Sequence, residues 1–427
     1  MNQRKRIIVV GTGIRAIGMW IKAMLEQYKE EVEIAGIYDI NPARAQACNK
    51  ILNTNIPVFQ SFNEMISSAN PDAMVIASPD ATHAEYVVRG IEAGLEVFCE
   101  KPLCTTLEQI HTIRTVAQQS SMPVTVTHNA RFLPCAVQMK KEILAGRIGT
   151  PKHVIFSEML DRFHGADYFR RWHRLMKNSG GLLLQKASHH FDLINWMITS
   201  QPQFVSAQGG LFFYGKNGKF RGKRCSECSH ANECFFFADV FQNPYLRTLY
   251  KEVEHIDGYL RDQCVFGEDI DIYDTANLAI SYKNNVTASY SLIAYASYEG
   301  MSFSIEGTEG RLEWKAQHNT SWAVGREKEE NQKANLEQSG AHIGEQLIFY
   351  DPKHQAKDLT PPPKEGSHGG ADPSILQFVF AASPPPDLLH QKASLEDGIQ
   401  AVLLGIAANK SIENKGHTVD VQKCELI

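Results

Sequence analysis

The chain has no apolar run long enough to cross a membrane, which removes the helical membrane protein from consideration. It also has little excess charge. A formal net charge of −5 over 427 residues gives no electrostatic ground for binding nucleic acid or an acidic membrane surface. The basic start, Met1-Asn2-Gln3-Arg4-Lys5-Arg6, is followed by only four apolar residues before a glycine, too few for a secretory h-region, so the expected compartment is the cytoplasm. Cysteine is sparse and odd in number. Nine thiols fit a reduced protein better than a disulfide framework. No internal repeat is present. What remains, 43% hydrophobic and 21% charged, is a globular composition, and 427 residues exceed one compact core, so two domains are expected.

Up to about residue 128 the pattern alternates strands with helices across short connections, as in a doubly wound parallel sheet. Asn41-Pro42 reads as a helix cap followed by proline at the first helical position. Ser61 to Glu64 and Thr105 to Glu108 each match a capping box. Short apolar strands are expected at Ala73–Ala77, Leu95–Phe98 and Val124–Thr127. After a helix around Ala136 to Leu144, Gly146-Arg147-Ile148-Gly149 marks a change of composition. Strand alternation follows, clearest where Val286, Ala288, Tyr290, Leu292 and Ala294 interleave with Thr287, Ser289, Ser291 and Ile293. Gly325 to Gly370 is polar and rich in proline and charge, which predicts a long excursion. The C-terminal helix, about 395–411, carries Ile399, Val402, Leu403 and Ile406 on one stripe and is expected to pack back on the first domain.

The chemistry begins where Ile7-Ile8-Val9-Val10 runs into Gly11-Thr12-Gly13-Ile14-Arg15-Ala16. An apolar strand passing into G-x-G-x-x-A is a dinucleotide-binding pattern. Gly11 permits the tight turn, Gly13 lets the backbone approach a pyrophosphate, and Ala16 lets the helix pack closely on the sheet. The amides at Ile14 then open a helix that points its N-terminus at the phosphates. A second strand, Val32 to Tyr38, ends in Asp39, a residue suited to the adenosine ribose hydroxyls and hostile to a 2′-phosphate. NAD is therefore favoured over NADP, with Arg44 just beyond softening that preference.

Three further motifs carry a family resemblance: Ala77-Ser78-Pro79 at a strand end, then His83, then Glu100-Lys101-Pro102 after the next strand. With the glycine fingerprint and a later histidine-containing helix, the chain resembles the Gfo/Idh/MocA oxidoreductases, the glucose-fructose oxidoreductase and inositol dehydrogenase group. The resemblance implies a Rossmann domain over residues 1–128. It implies an α/β domain with a large, mostly antiparallel open-faced sheet over 129–427. It further implies a homodimer or homotetramer formed through that sheet, and hydride exchange between a nicotinamide and a secondary hydroxyl of a sugar, polyol or glycoside. Ser78, Pro79, His83, Glu100 and Asn129 would line the cofactor. Lys101, just past a strand's C-terminal edge, would polarise the hydroxyl and stabilise the developing alkoxide.

Gly180-Gly181-Leu182-Leu183-Leu184-Gln185-Lys186-Ala187-Ser188-His189-His190-Phe191-Asp192 looks like the family's glycine pair, acidic residue, histidine and aspartate on one helix. His189 then falls at the active-site histidine, an acid/base candidate. Gln185 stands where many members carry an aspartate. Glutamine takes no proton, so Lys101 and His189 would share that work, or Lys186 or His190 would take part of it. Upstream, the run from Asp161 to His173 mixes aromatic and hydrogen-bonding groups in a way that suits a carbohydrate, with Arg162, His164, Arg171 and Trp172 as candidate contacts beside Arg131. The stretch from His368 to Asp372 is a candidate late cover for the cleft. Cys225, Cys228 and Cys234, spaced C-x2-C-x5-C, could hold a structural zinc with Cys264, His230 or His255 as fourth ligand. Two rivals stand beside the simple dehydrogenase: a redox-neutral glycosidase working through a 3-keto intermediate with retained NAD, and a non-catalytic NAD-binding regulatory protein.

Overall fold

The computed structural model describes residues 4–318 and 344–426. Its chain divides into two compact units, the first made of residues 1–132, 241–261 and 366–402, the second of 133–240, 262–365 and 403–427. The domain boundary expected at residue 128 corresponds to the end of the first unit's opening segment only. Two later stretches return to that unit: 366–402 takes in the start of the C-terminal helix, which was expected to pack back on the first domain, whereas no sequence pattern marked 241–261 as part of it.

In the first unit, β1 (Lys5–Val10), β2 (Val32–Tyr38), β3 (Ala73–Ile76), β4 (Glu96–Cys99) and β5 (Val124–Val126) form a parallel sheet, closed at one edge by the antiparallel two-residue strand β14 (Ala393–Ser394). The order is β14-β5-β4-β3-β1-β2. All four residues of β3 are buried, as are Ile7 to Val10, because helices cover a parallel sheet on both faces. Strand order reverses at β1, whose neighbours are β2 and β3, and ligands of such sheets bind beyond the strand ends at this point. Asn41 caps the helix Pro42–Leu52 as expected, its side chain accepting from the Arg44 amide. The second predicted capping box is displaced by one residue: Thr106 and Gln109 form it. At Ser61 only half the box forms, since Glu64 reaches the Gln60 amide instead.

Among the described residues the second unit carries nine strands: β6 (Pro151–Asp161), β7 (Pro202–Gly210), β8 (Thr275–Tyr282), β9 (Thr287–Ala296), β10 (Glu299–Gly307), β11 (Arg311–His318), β12 (Gly344–Tyr350), β13 (Ala356–Asp358) and β15 (Val419–Asp420). Their order is β13-β12-β11-β10-β6-β9-β8-β7-β15, antiparallel throughout except for β6 beside β9. Ala288, Tyr290, Leu292 and Ala294 are buried on one face, which is the expected alternation. Of the polar excursion predicted for residues 325–370, 325–343 lie outside the described residues. The rest departs from the prediction, because β12 and β13 extend the sheet. The helix Leu395–Glu413 belongs to the first unit through Val402 and to the second from Leu403. No helix among the described residues is long and apolar enough to cross a membrane.

Candidate functional site

In the first unit the candidate residues gather at the carboxyl ends of β1 to β5. Gly11 has φ +86°, and a Cβ placed there would lie 2.7 Å from both the Ala77 carbonyl oxygen and the Ser78 nitrogen, so only glycine lets the β1 loop close against the end of β3. Behind it Asp39 is buried and fully engaged. Its Oδ2 accepts from the Thr12 amide (2.9 Å) and hydroxyl (3.0 Å), while Oδ1 accepts from the Asn41 amide (2.9 Å) and Arg44 Nη1 (3.1 Å). Arg44 is thus paired rather than open to solvent.

His83 is buried, with Nδ1 at 2.7 Å from the Pro102 carbonyl and Nε2 at 2.8 Å from the Ser78 carbonyl. Burial pushes its pKa down against these carbonyls, so the ring braces two loops and is a poor proton carrier. Ser78 Oγ meets Thr82 Oγ1 at 2.7 Å, and Pro79 precedes the short turn Asp80–Thr82. Lys101 is half-buried after β4, and the Lys101–Pro102 peptide is cis. Next to Lys101 lies Asp80, a residue the sequence reading missed. It is 4% exposed and its Oδ2 has no hydrogen-bond partner. Burial raises its carboxyl well above the usual range, with the Lys101 charge opposing that rise.

Glu100, an expected cofactor contact, is instead committed to the protein: Oε1 accepts from Arg15 Nε and Trp20 Nε1, both at 2.8 Å. Arg15 bridges onward to Asp372, with Nη1 at 3.0 Å from Oδ2. Asp372 also accepts from Asn129 Nδ2 (2.7 Å) and Ser367 Oγ (2.8 Å), and meets His368 Nδ1 at 2.7 Å. Burial opposes its ionisation, but the His368 hydrogen bond and the Arg15 charge hold its carboxyl below the usual range. Within the stretch 368–372, expected as a candidate late cover, Asp372 is therefore an anchor. Arg131 is likewise unavailable as a substrate contact. It is 2% exposed, held by Asp397 (3.2 Å) and by the His390 carbonyl (2.9 Å).

In the second unit the run from Arg162 forms the helix Arg162–Arg170, capped by Asp161, whose Oδ1 accepts from the Phe163 and His164 amides at 2.8 Å each. A Cβ at Gly165 would meet the Ala294 carbonyl oxygen at 1.7 Å, so this glycine seats the helix on β9. The seating produces a hydrogen-bonded chain: Tyr168 Oη to His164 Nε2 (3.2 Å), then His164 Nδ1 to Glu299 Oε1 (2.7 Å). Glu299 Oε2 accepts from the Asp161 amide (2.7 Å). Burial works against the Glu299 charge, yet the His164 hydrogen bond holds its pKa below the usual value. Burial also keeps the Tyr168 phenol protonated, its pKa raised despite nearby Lys186 and Arg171.

A second buried cluster lies on β6. Glu158 sits in register with Val154, Phe156 and Leu160 on the buried face and takes Lys186 Nζ at 3.0 Å. Burial opposes the Lys186 charge, but Glu158 outweighs it and raises the ammonium's pKa. His190 stacks on Phe156 with centroids 4.6 Å apart and places Nδ1 2.9 Å from Tyr290 Oη. Its Nε2 lies 3.6 Å from Glu158, so both ring nitrogens of His190 face protein groups, while His189 is half-buried. One expectation fails here. Leu182–Gln185 and Ser188–Ile198 are separate helices, so Gln185 and His189 do not share a continuous helix face. Of the other candidates, Arg162 lies over the rings of Phe213 and Phe235, Arg171 pairs with Asp167 at 3.2 Å, and Trp172 stacks on His173.

The zinc expectation is corrected. None of the nine cysteines is in a disulfide, and among the described residues no group of three or more His, Cys, Asp or Glu is arranged to hold a metal. Cys225 Sγ instead accepts from Arg170 Nη1 at 3.3 Å. His230 faces Glu233 and Phe220, and His255 belongs to the first unit.

Family models for an oxidoreductase family match this architecture in both parts: its NAD-binding Rossmann fold over residues 5–128 and its C-terminal alpha/beta domain over residues 140–421. The chain belongs to the Gfo/Idh/MocA oxidoreductase family. Bacillus subtilis YteT is 31% identical over 431 residues, 96% of each chain. An inositol 2-dehydrogenase of Paracoccus denitrificans is 34% identical over 139 residues, 32% of this chain and 41% of its own. Among solved structures, the WlbA dehydrogenase of Bordetella pertussis in complex with NADH and UDP-GlcNAcA has a TM-score of 0.65 at 18% identity, covering 98% of this chain and 99% of that one. At that identity the likeness speaks for the Gfo/Idh/MocA fold alone.

Proposed function

We propose that this protein is an NAD-dependent oxidoreductase acting on a secondary hydroxyl of a sugar, polyol or glycoside. The observation that carries the reading is the β1 loop, closed against Ala77 and Ser78 by Gly11, with Asp39 locked behind it and Lys101 at the end of β4. Such a loop fits a dinucleotide, because Gly13 puts no β-carbon between a pyrophosphate and the backbone, and the Ile14 amide, which donates to Tyr250 Oη at 3.0 Å, is released to it on binding. In this reading Gly11, Gly13 and Ile14 hold the pyrophosphate, Asp39 the ribose, and Ser78, Pro79 and Asn129 the nicotinamide end. A bound nicotinamide supplies hydride acceptance or donation. Lys101 orients the reacting hydroxyl and stabilises its alkoxide, and His189 takes or gives the proton. The names of relatives, inositol 2-dehydrogenase among them, support a polyol-like substrate.

The Tyr168–His164–Glu299 chain favours a second reading, since it adds an acid/base set beyond what one hydride transfer requires. A redox-neutral glycosidase would use such groups to remove a proton and protonate a leaving group. Lys101→Ala tests the first reading. It should lower turnover by about a hundredfold or more while dinucleotide affinity stays near that of the wild type. Unchanged turnover would sink the assignment.

A further inference from the structure

The segment 241–261 is remote in sequence from the glycine loop, yet it belongs to the first unit. Asn243 caps the helix Pro244–Leu249, which buries Leu246 and Leu249 and packs on the helix Pro42–Leu52. Three polar contacts then fasten the segment to the glycine loop after β1 and to the turn and helix after β2. Tyr250 Oη accepts from the Ile14 amide at 3.0 Å. The Val253 carbonyl accepts from Asn41 Nδ2 at 2.9 Å. Asp257 accepts from Arg44 Nη2, while Arg44 Nη1 donates to Asp39. Arg44 is 7% exposed, and its guanidinium lies 5.6 Å from the Tyr250 ring centre and 5.9 Å from that of Tyr259.

One buried guanidinium therefore stands between two carboxylates, so the Asp39–Arg44–Asp257 triad where a dinucleotide's adenosine ribose would lie carries one more negative than positive charge. The neighbouring Lys251 and Glu254 neutralise each other at 2.8 Å, and Arg261 stacks over Tyr250 at 4.4 Å. An arginine shortly after the second strand is the residue type that accommodates a 2′-phosphate. Here both ends of its planar fork are already occupied.

We propose that Asp257 determines dinucleotide specificity: by engaging Arg44 it withholds the guanidinium from a 2′-phosphate and adds a second negative charge, so the site takes NAD and rejects NADP. This rests on the reading of the Gly11–Gly13 loop as a dinucleotide site. Asp39 alone would disfavour the extra phosphate, but Arg44 would offset it; Asp257 removes that offset. Tyr250 belongs to the same device. A phosphate oxygen and the Tyr250 phenol cannot both take the Ile14 N–H, so the segment yields that contact when a pyrophosphate binds.

The test is the affinity of the full-length protein for NADH and NADPH, followed by nicotinamide fluorescence. It compares wild type, Asp257→Asn and Asp257→Ala, each with and without Arg44→Ala. Both Asp257 variants should shift the affinity ratio toward NADPH by about tenfold, and the Arg44→Ala background should abolish the shift. Asp257→Asn keeps the segment's shape and decides the matter if Asp257→Ala weakens both ligands alike. An unchanged ratio with both dinucleotides still bound, or a shift that persists without Arg44, overturns the proposal and leaves the cofactor reading standing. A wild type that binds neither overturns the cofactor reading and the proposal with it.

Discussion

At the residue scale, Asp372 is a heavily committed group of the first unit. Four side chains converge on its carboxylate: Arg15, Asn129, Ser367 and His368. Removing it leaves buried donors without an acceptor and Arg15 with Glu100 alone. Asp372→Ala should therefore lower unfolding free energy by about 3 kcal/mol, the usual scale for breaking a buried ion pair from one side. Urea denaturation reads this directly, and a loss below about 1 kcal/mol would show the network to be dispensable. Arg15 shows why such a group is hard to find from sequence. It occupies a variable position of the G-x-G-x-x-A pattern, and its partner lies 357 residues away.

At the element scale, legibility follows locality. The strand-turn-helix at Gly11, the cap at Asn41, and the apolar runs and short connections of the first unit's parallel strands are local signals, and each was readable. Elements whose meaning depends on a distant partner were not. The segment 241–261 offered the sequence reading only His255 as a candidate metal ligand, and its place on the β1 loop shows in the structure alone. The helix break at Lys186–Ala187 was hidden because the stretch from Leu182 to Ile198 has helical apolar spacing on both sides of it. Glu158 left a legible trace that went unread. In the alternation Val154, Phe156, Glu158, Leu160 it is a carboxylate at an apolar position, and a buried charge calls for a partner. The cysteine spacing misled for the converse reason: C-x2-C fixes only proximity along the chain, and Arg170 occupies one thiol.

At the scale of the whole molecule, two carboxylates in different units give the protein an acid-sensitive component of stability. Asp372 and Glu299 both have pKa values held below their ordinary values of 3.8 and 4.5, burial opposing the effect and hydrogen-bonded partners prevailing. The unfolded chain therefore binds these protons first as pH falls. Their contribution is complete above the ordinary values and is lost as pH drops through them toward the lowered native ones. Urea midpoints measured from about neutral pH to about pH 3 should fall across the acid end of that range, and Asp372→Asn should flatten the fall. A midpoint independent of pH would contradict the network's electrostatic role.

The central claim is NAD-dependent chemistry at a secondary hydroxyl, and its most direct test is one incubation. The purified protein, NAD and a panel of sugars, polyols and glycosides would be followed by nicotinamide absorbance and product mass together. The account predicts accumulating NADH and a product lighter by one pair of hydrogens. Glycoside cleavage without accumulating NADH would contradict it and establish the redox-neutral hydrolase in its place.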